Sequence, residues 1–501
     1  MSLLLIAPTW TEERALRRGA PGAKIERIGM GPRRARRAAA RLAAAPARAV
    51  AVAGFGGALD PELRPGEIVV ADSLLTRNGT RVATCPGAGL IAGMLQRRGI
   101  PARVGPVVSV RSPAVGSARA ALHGTGALVA DMESAWLAPL AQNRPLVVLR
   151  AVLDTAEAEL WRPAATLAGV RQASRALSEA ARVLAEEWAP AVAPRELELA
   201  APRAACAGVE RAIEVVERTL DRYGPPVYMR KQIVHNRHVV SELERRGAIC
   251  VDELDEVPDG STVVFSAHGV SPEVRNDADR KQLTVVDATC PLVNKVHSEA
   301  RRFAENGYTV VLIGHEGHEE VEGTVGEIPD DVRVIAGADE VDSLQVDDPD
   351  RVAYLTQTTL AVDETRAIVG RLRERFPNVA GPRSDDICYA TQNRQDAVKA
   401  LAASCELVLV VGSRNSSNSN RLIEVSERHG CPARLIDDEE QIDPSWFVGV
   451  RRLGVTAGAS SPDRIVTRIV EALSVLGPFA ASERRVASET VRFTLPRAVR
   501  G

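Results

Sequence analysis

Short runs of Val, Ile and Leu recur along the whole chain, each followed by a polar loop and then usually by a helical pattern. The first half holds LLLIA, AVAVAGFGG, GEIVVAD, RVGPVVSV, ALVADM and PLVVLRAVLD. The second half holds STVVFSAHG, TVVDATC, YTVVLIGHEGH, RVAYLTQ, ELVLVVGS and LGVTAGAS. Buried runs of this length, alternating with helices, predict an α/β class with parallel sheets covered by helices. Ligands of such sheets bind at the carboxyl ends of the strands, so the residues just after each run become the candidates. One break interrupts the rhythm, where the helical stretch Ala165 to Trp188 runs into APAVAPRELELAAPRAA. That Ala- and Pro-rich composition suits a linker. The pattern predicts a domain over 1–190, a linker over 191–203 and a second domain over 204–497.

Length supports two domains, since 501 residues exceed the roughly 100 to 200 of one core. The formal net charge of -2 gives no broad attraction to nucleic acid or to an anionic membrane. The basic run GPRRARRAAARLAAAPARA lacks interleaved aromatics and reads as a solvated helix. No stretch approaches the roughly 20 apolar residues of a membrane span. The start, MSLLLIAPTW, has no basic segment ahead of its apolar run and reads as a first strand. Seven cysteines, an odd number, speak against a disulfide framework and for a reducing, cytoplasmic setting.

Three of those cysteines repeat one arrangement. Cys206, Cys290 and Cys388 each stand just before a helical pattern and are followed five or six residues later by a base: Arg211, Lys295, Arg394. A helix N-terminus lowers a thiol's pKa and offers backbone N–H donors, both of which favour thiolate ligation of a metal centre. Cys85, Cys250, Cys405 and Cys431 lack this arrangement and read as small buried or incidental residues. Buried thiols are the competing reading for the repeated three as well. Around them, strand ends carry His, Ser, Thr and Asn densely: IVHNRHVV, FSAHGVSPEV, IGHEGHEEVEGT, TQTTL, GSRNSSNSNRL and TAGASSPDR. Hydroxyls and unpaired backbone N–H groups at such ends make an oxyanion cradle, and with the histidines they imply a phosphate-bearing ligand.

In this order, CAGVERAI, IVHNRHVV, SAHGVSP, DATCPLV, GHEGHEEVEGT, TQTTL, DDICYATQNRQ, NSSNSNRL and TAGASSPD resemble the 4-hydroxy-3-methylbut-2-enyl diphosphate reductase family. The resemblance covers Cys206 to the terminal TLPRAVR. It implies three similar α/β subdomains around one four-iron four-sulfur cluster with three cysteine ligands, Cys206, Cys290 and Cys388, and one open iron. It also implies a diphosphate and hydroxyl site of His235, His268, His318, Ser416, Ser417, Asn418 and Ser460, with Glu320 and Thr358 as a proton relay and His318 beside them. The implied reaction belongs to the methylerythritol phosphate route to isoprenoids and converts the hydroxylated allylic diphosphate to isopentenyl and dimethylallyl diphosphates. The implied electron donor is a ferredoxin or flavodoxin with its NADPH-dependent reductase. His238, His297 and His315 stay structural, and Glu319 and Glu322 read as a solvated acidic run. Ala204 and Ala205 depart from the Gly and bulky aromatic common in that family.

Over roughly 1–190, AGFGGALDPELRPGEIVVAD, VADMESAWLA and LRAVLDTA resemble the nucleoside phosphorylase and nucleosidase superfamily. That resemblance implies Gly56 and Gly57 beside the substrate, Met132 and Glu133 on the ribose, Asp154 as acid for the leaving purine, and Glu12 as water activator. Leu153 stands where that superfamily often has Ser. Three readings of the whole chain follow: reductase plus N-glycosidic cleavage, reductase with an inert N-terminal scaffold, or a non-enzymatic zinc or iron-sulfur redox sensor.

Overall fold

All twelve apolar runs become strands, because a run of β-branched residues buried on both faces packs best as a central strand. The computed structural model describes residues 3–142, 144–160 and 163–500. Residues 1–197, 436–453 and 467–481 group as one compact unit; 198–435, 454–466 and 482–501 group as a second. No helix among the described residues is long and apolar enough to cross a membrane.

The first unit carries an eight-stranded sheet in the order Lys24–Arg27, Leu3–Ala7, Ala49–Ala58, Val129–Asp131, Ala102–Ser109, Ile68–Thr76, Arg81–Thr84. Leu146–Asp154 pairs with both Ala49–Ala58 and Ile68–Thr76. The sheet is mixed, which corrects the all-parallel expectation for this half: Ile68–Thr76 runs antiparallel to Arg81–Thr84 and to Leu146–Asp154. A turn of a few residues joins Thr76 to Arg81, and so short a connection permits only an antiparallel pair. The register shifts between Gly56 and Gly57 and sets Gly57 opposite Asp154. A Cβ on Gly56 would lie 2.2 Å from Val129 Cγ1, so this close approach requires glycine.

Three further sheets follow. Ala248–Val251, Val227–Arg230, Thr262–Phe265 and Thr284–Asp287 form a parallel four-stranded sheet. Val332–Ile335, Thr309–Ile313 and Val352–Thr356 form a parallel three-stranded one. Ala433–Ile436, Leu407–Val411, Arg452–Ala457, Arg195–Ala201 and Phe479–Arg485 form a five-stranded sheet. Each has its own apolar core, around Val264 and Val286, around Val310 and Leu355, and around Val408 and Val410.

Residues 191–203 therefore do more than link, since Arg195–Ala201 is a strand of the five-stranded sheet. Leu197 is buried while Glu196 is exposed, a strand alternation that the flanking Ala and Pro hide from a compositional reading. The two compact units interleave along the chain, with 436–453 and 467–481 grouped in the first.

Candidate active site

Each of the three repeated cysteines is the N-cap of a helix: Cys206 of Ala207–Tyr223, Cys290 of Pro291–Glu305, Cys388 of Tyr389–Ala402. Their backbone N–H groups donate to the carbonyls of Ala459 (3.2 Å), Ala267 (3.0 Å) and Thr358 (3.1 Å), each at a strand end. All three line one cavity of about 110 Å³ in the second unit. Gly208 matters at its floor, because a Cβ there would come 2.8 Å from Cys290 Sγ and 3.8 Å from Cys206 Sγ. None of the seven cysteines is in a disulfide.

At Cys290 and Cys388 the electrostatics correct the expectation of a lowered thiol pKa. Burial pushes Cys290 up to about 12 and Cys388 up to about 11, and repulsion from the neighbouring thiols adds to it. The expected N–H donors are present, from Leu292 and Val293 to Cys290 and from Thr391 to Cys388 (3.4 Å). Desolvation outweighs them, since an ion without a counter-charge is disfavoured in an apolar setting. Three convergent sulfurs, two of them resisting ionisation on their own, fit a positively charged metal centre, whose bonds would replace the protons.

The histidines come from loops after three strands. His235 follows Val227–Arg230, His268 follows Thr262–Phe265, and His318 caps the helix Glu319–Glu327. His235 stacks on His268 with centroids 4.1 Å apart, and His318 meets both edge-on at 5.9 and 6.0 Å. Burial holds His235 down at about 3 and His318 at about 4, with the charge of His268 acting in the same direction. His318 Nδ1 accepts from the Glu320 N–H (3.2 Å), which assigns the neutral ring's proton to Nε2. His235 Nδ1 is buried without a hydrogen-bond partner among the described residues.

Glu320 is 2% exposed, and Thr358 binds both its oxygens: the N–H donates to Oε1 (2.7 Å) and Oγ1 donates to Oε2 (2.9 Å). Burial raises its carboxyl to about 7, against the pull of the Thr358 bonds. Glu319 belongs to the site too, which corrects its reading as part of a solvated run. Its Oε2 lies 3.1 Å from His268 Nδ1 and accepts from Ser266 Oγ (3.3 Å). Burial opposes ionisation of Glu319, yet the bond and charge of His268 hold it at about 2. Glu322 is exposed, as expected. Ligand atoms of His235, His268 and Glu319 lie within 4.8 Å of one another.

The polar cradle is built from strand ends of the five-stranded sheet. Ser416 caps the helix Ser417–Arg428, and Ser460 Oγ donates to Ser416 Oγ (3.2 Å). Asn418 Oδ1 accepts from the Ala459 N–H (2.9 Å), and its amide donates to Thr391 Oγ1 (3.3 Å). Ser417 Oγ accepts from Thr359 Oγ1 (3.0 Å). The cavity thus brings together Cys206, Cys290, Cys388, His235, His268, His318, Glu320, Thr358, Ser416, Ser417, Asn418 and Ser460. Sequence reasoning missed Thr359, Thr391 and Phe493 in its lining. Both threonines stand inside motifs already singled out, whereas nothing in the pattern around Phe493 marks it. His297 is structural as expected, with Nδ1 3.0 Å from Glu327.

The first unit has a separate cavity of about 200 Å³ that Glu12, Gly56, Gly57, Met132, Glu133 and Asp154 line together. Glu12 accepts from the N–H groups of Thr9 and Phe55, each at 2.6 Å, and burial raises its pKa. Glu133 accepts from the Gly31 N–H (2.9 Å), and burial with the nearby Asp131 charge raises it to about 7. Arg150, fully buried, donates to Asp131 and to Ser134 and lies 4.0 Å from Glu133. Asp154 is paired with the buried Arg119, which also donates to the Ala58 carbonyl (2.7 Å). Burial raises the Asp154 carboxyl against the pull of Arg119. Neither arginine's role was legible in the sequence pattern.

Known proteins resemble each part of the chain. Residues 197–474 match the LytB protein family and residues 22–186 the phosphorylase superfamily. The 4-hydroxy-3-methylbut-2-enyl diphosphate reductase of Azoarcus sp. (strain BH72) is 57% identical over 302 residues, covering 60% of this chain and 97% of that protein. The enzyme of that name from Mycolicibacterium paratuberculosis is 58% identical over 303 residues, covering 60% and 91%. A solved E-1-hydroxy-2-methyl-but-2-enyl-4-diphosphate reductase from Plasmodium falciparum aligns over 61% of this chain and 97% of its own, at 37% identity and a TM-score of 0.59. With its cysteine-lined cavity and three C-terminal sheets, the chain belongs to the LytB protein family and carries a phosphorylase-superfamily domain on its N-terminal side.

Proposed function

We propose that the second unit reduces 4-hydroxy-3-methylbut-2-enyl diphosphate, taking up two electrons and two protons and releasing water with isopentenyl or dimethylallyl diphosphate. The supporting observation is convergence in one cavity of three thiols outside any disulfide, three imidazoles and a buried carboxyl titrating near neutrality. Cys206, Cys290 and Cys388 would hold a four-iron four-sulfur cluster, which supplies electrons and, at an iron without a protein ligand, a Lewis acid. An external one-electron carrier of the ferredoxin or flavodoxin class feeds it.

The chain's own residues do the rest. Ser416, Ser417, Asn418 and Ser460 bind the diphosphate oxygens through hydroxyl, amide and helix-N-terminal donors. His235 and His318, neutral before binding, become donors to the anion when it arrives, and Glu319 fixes the ring of His268. Glu320 holds a proton near neutrality and Thr358 orients it, so that the substrate hydroxyl departs as water.

Glu320→Gln is expected to keep the cysteine-bound iron and bind substrate, yet turn over roughly 10² to 10⁴ times more slowly. Near-normal turnover under saturating reductant contradicts the relay. The second expectation is proton uptake. A bound diphosphate places negative charge beside His235 and His318, raising pKa values that burial holds at about 3 and 4. The bound state then carries more protons than the ligand-free state, so affinity rises as pH falls from 8 toward 6. Calorimetry in buffers of different ionisation enthalpy reads this directly, with smaller uptake in His318→Asn; equal uptake in the two proteins contradicts it.

A second reading concerns the first unit, favoured by the convergence of Glu12, Glu133, Arg150 and Asp154 on or beside one cavity. We propose that it cleaves an N-glycosidic bond, with Asp154 exchanging Arg119 for the leaving base. Asp154→Asn is expected to slow base release by roughly 10² to 10⁴ while reductase turnover stays intact. A wild-type chain inert toward purine nucleosides and adenosylated lipids contradicts this reading and leaves the first unit a scaffold.

A further inference from the structure

The base that follows each cysteine reaches past its own loop to the next one. Arg211 lies on the helix opened by Cys206, yet its Nη1 donates to the carbonyls of Ala288 (2.9 Å) and Thr289 (3.1 Å), the two residues before Cys290. Lys295 lies on the helix opened by Cys290, and its Nζ donates to the carbonyls of Ser384 (2.6 Å) and Asp385 (2.9 Å) and to Asp386 Oδ1 (3.0 Å), just before Cys388. Arg394 lies on the helix opened by Cys388, and its Nε (3.0 Å) and Nη2 (2.6 Å) both donate to the carbonyl of Ala204, two residues before Cys206. The contacts run from each cysteine helix to the next cysteine loop, and the third closes on the first.

We propose that Arg211, Lys295 and Arg394 are positioning residues forming a closed ring, each cation fixing the loop of the neighbouring cysteine and so setting the spacing of the three thiols. This rests on the reading of those thiols as cluster ligands. The residues just before each cysteine lie outside regular strand and helix, so their carbonyls need partners from elsewhere, and a cation gives a stronger bond than a neutral donor. Local strain shows the hold most clearly at Ala204. Its φ of 63° lies in the left-handed region that a residue with a Cβ enters at a cost, and both Arg394 bonds land on its carbonyl.

The ring also ties down the C-terminal segment. Arg394, fully buried, donates to Glu489 Oε1 (2.9 Å), and Arg211 Nε donates to the Thr494 carbonyl (2.8 Å). Between these anchors lies Phe493, which lines the cavity. Ordinary structural cations would stiffen the helices that carry them. A ring makes a different prediction, because the damage appears one cysteine further on.

The test uses the anaerobically purified full-length chain and its Arg211→Met, Lys295→Met and Arg394→Met variants. Hydrogen exchange is expected to accelerate at 286–290, at 384–388 and at 203–206 respectively, with the other two loops unchanged. Iron release to a chelator is expected to become roughly 10 to 100 times faster in each variant, and Arg211→Lys and Lys295→Arg are expected to restore most of it. Because Arg394→Met strands Glu489, the double variant Arg394→Met with Glu489→Gln is read beside it, and loosening of 203–206 in both supports the ring. Uniform loosening of all three loops, loosening confined to the helix that carries the substitution, or unchanged iron release overturns it. The exchange pattern is read whether or not wild-type protein holds iron, so failure of the ring is distinguishable from failure of the cluster assignment.

Discussion

The thiols of Cys290 and Cys388, facing one cavity with Cys206, resist ionising there without a compensating positive charge. Burial and mutual repulsion put Cys290 and Cys388 two to three pH units above an ordinary thiol, at about 12 and 11, despite helix N-termini and N–H donors aimed at them. The rest of the second unit follows from that constraint. Three sheets present three helix starts, glycine at 208 clears the space between sulfurs, and strand ends supply the polar wall. On the proposed reading, a cationic centre relieves the repulsion and makes the arrangement a ligand set.

The same low-polarity surroundings explain the acid and the histidines. Desolvation, outweighing the pull of the Thr358 bonds, brings Glu320 to about 7, so it can carry a proton before any substrate charge arrives. It also keeps His235 and His318 neutral, ready to gain charge beside an anion. Glu319, one residue from Glu320, goes the other way to about 2, because His268 stabilises its ionised form. Adjacent carboxyls are thereby pushed apart by environment alone, one to hold a proton and one to orient a ring.

Much of this was legible in the chain. The apolar runs gave the central strands, and the residues after them gave the cysteines, histidines, Glu320 and the Ser416 to Asn418 cradle. What escaped has identifiable causes. Arg195–Ala201 was hidden because alanine and proline dilute its alternation, and the mixed sheet because strand direction depends on connection length. Glu319 escaped because an acidic run looks the same whether it is solvated or pointed at an imidazole. Arg119 escaped because its partner Asp154 lies on a distant strand. The spacing of Arg211, Lys295 and Arg394 was visible, but its meaning lay in contacts to the next cysteine loop.

Metal analysis of anaerobically purified protein tests the central claim most directly. The account predicts a brown protein with about four irons and about four acid-labile sulfides per chain, lost together when Cys206, Cys290 or Cys388 is changed to Ser and kept in Cys250→Ser. Stoichiometric zinc without acid-labile sulfide would contradict it, as would equal loss in all four variants.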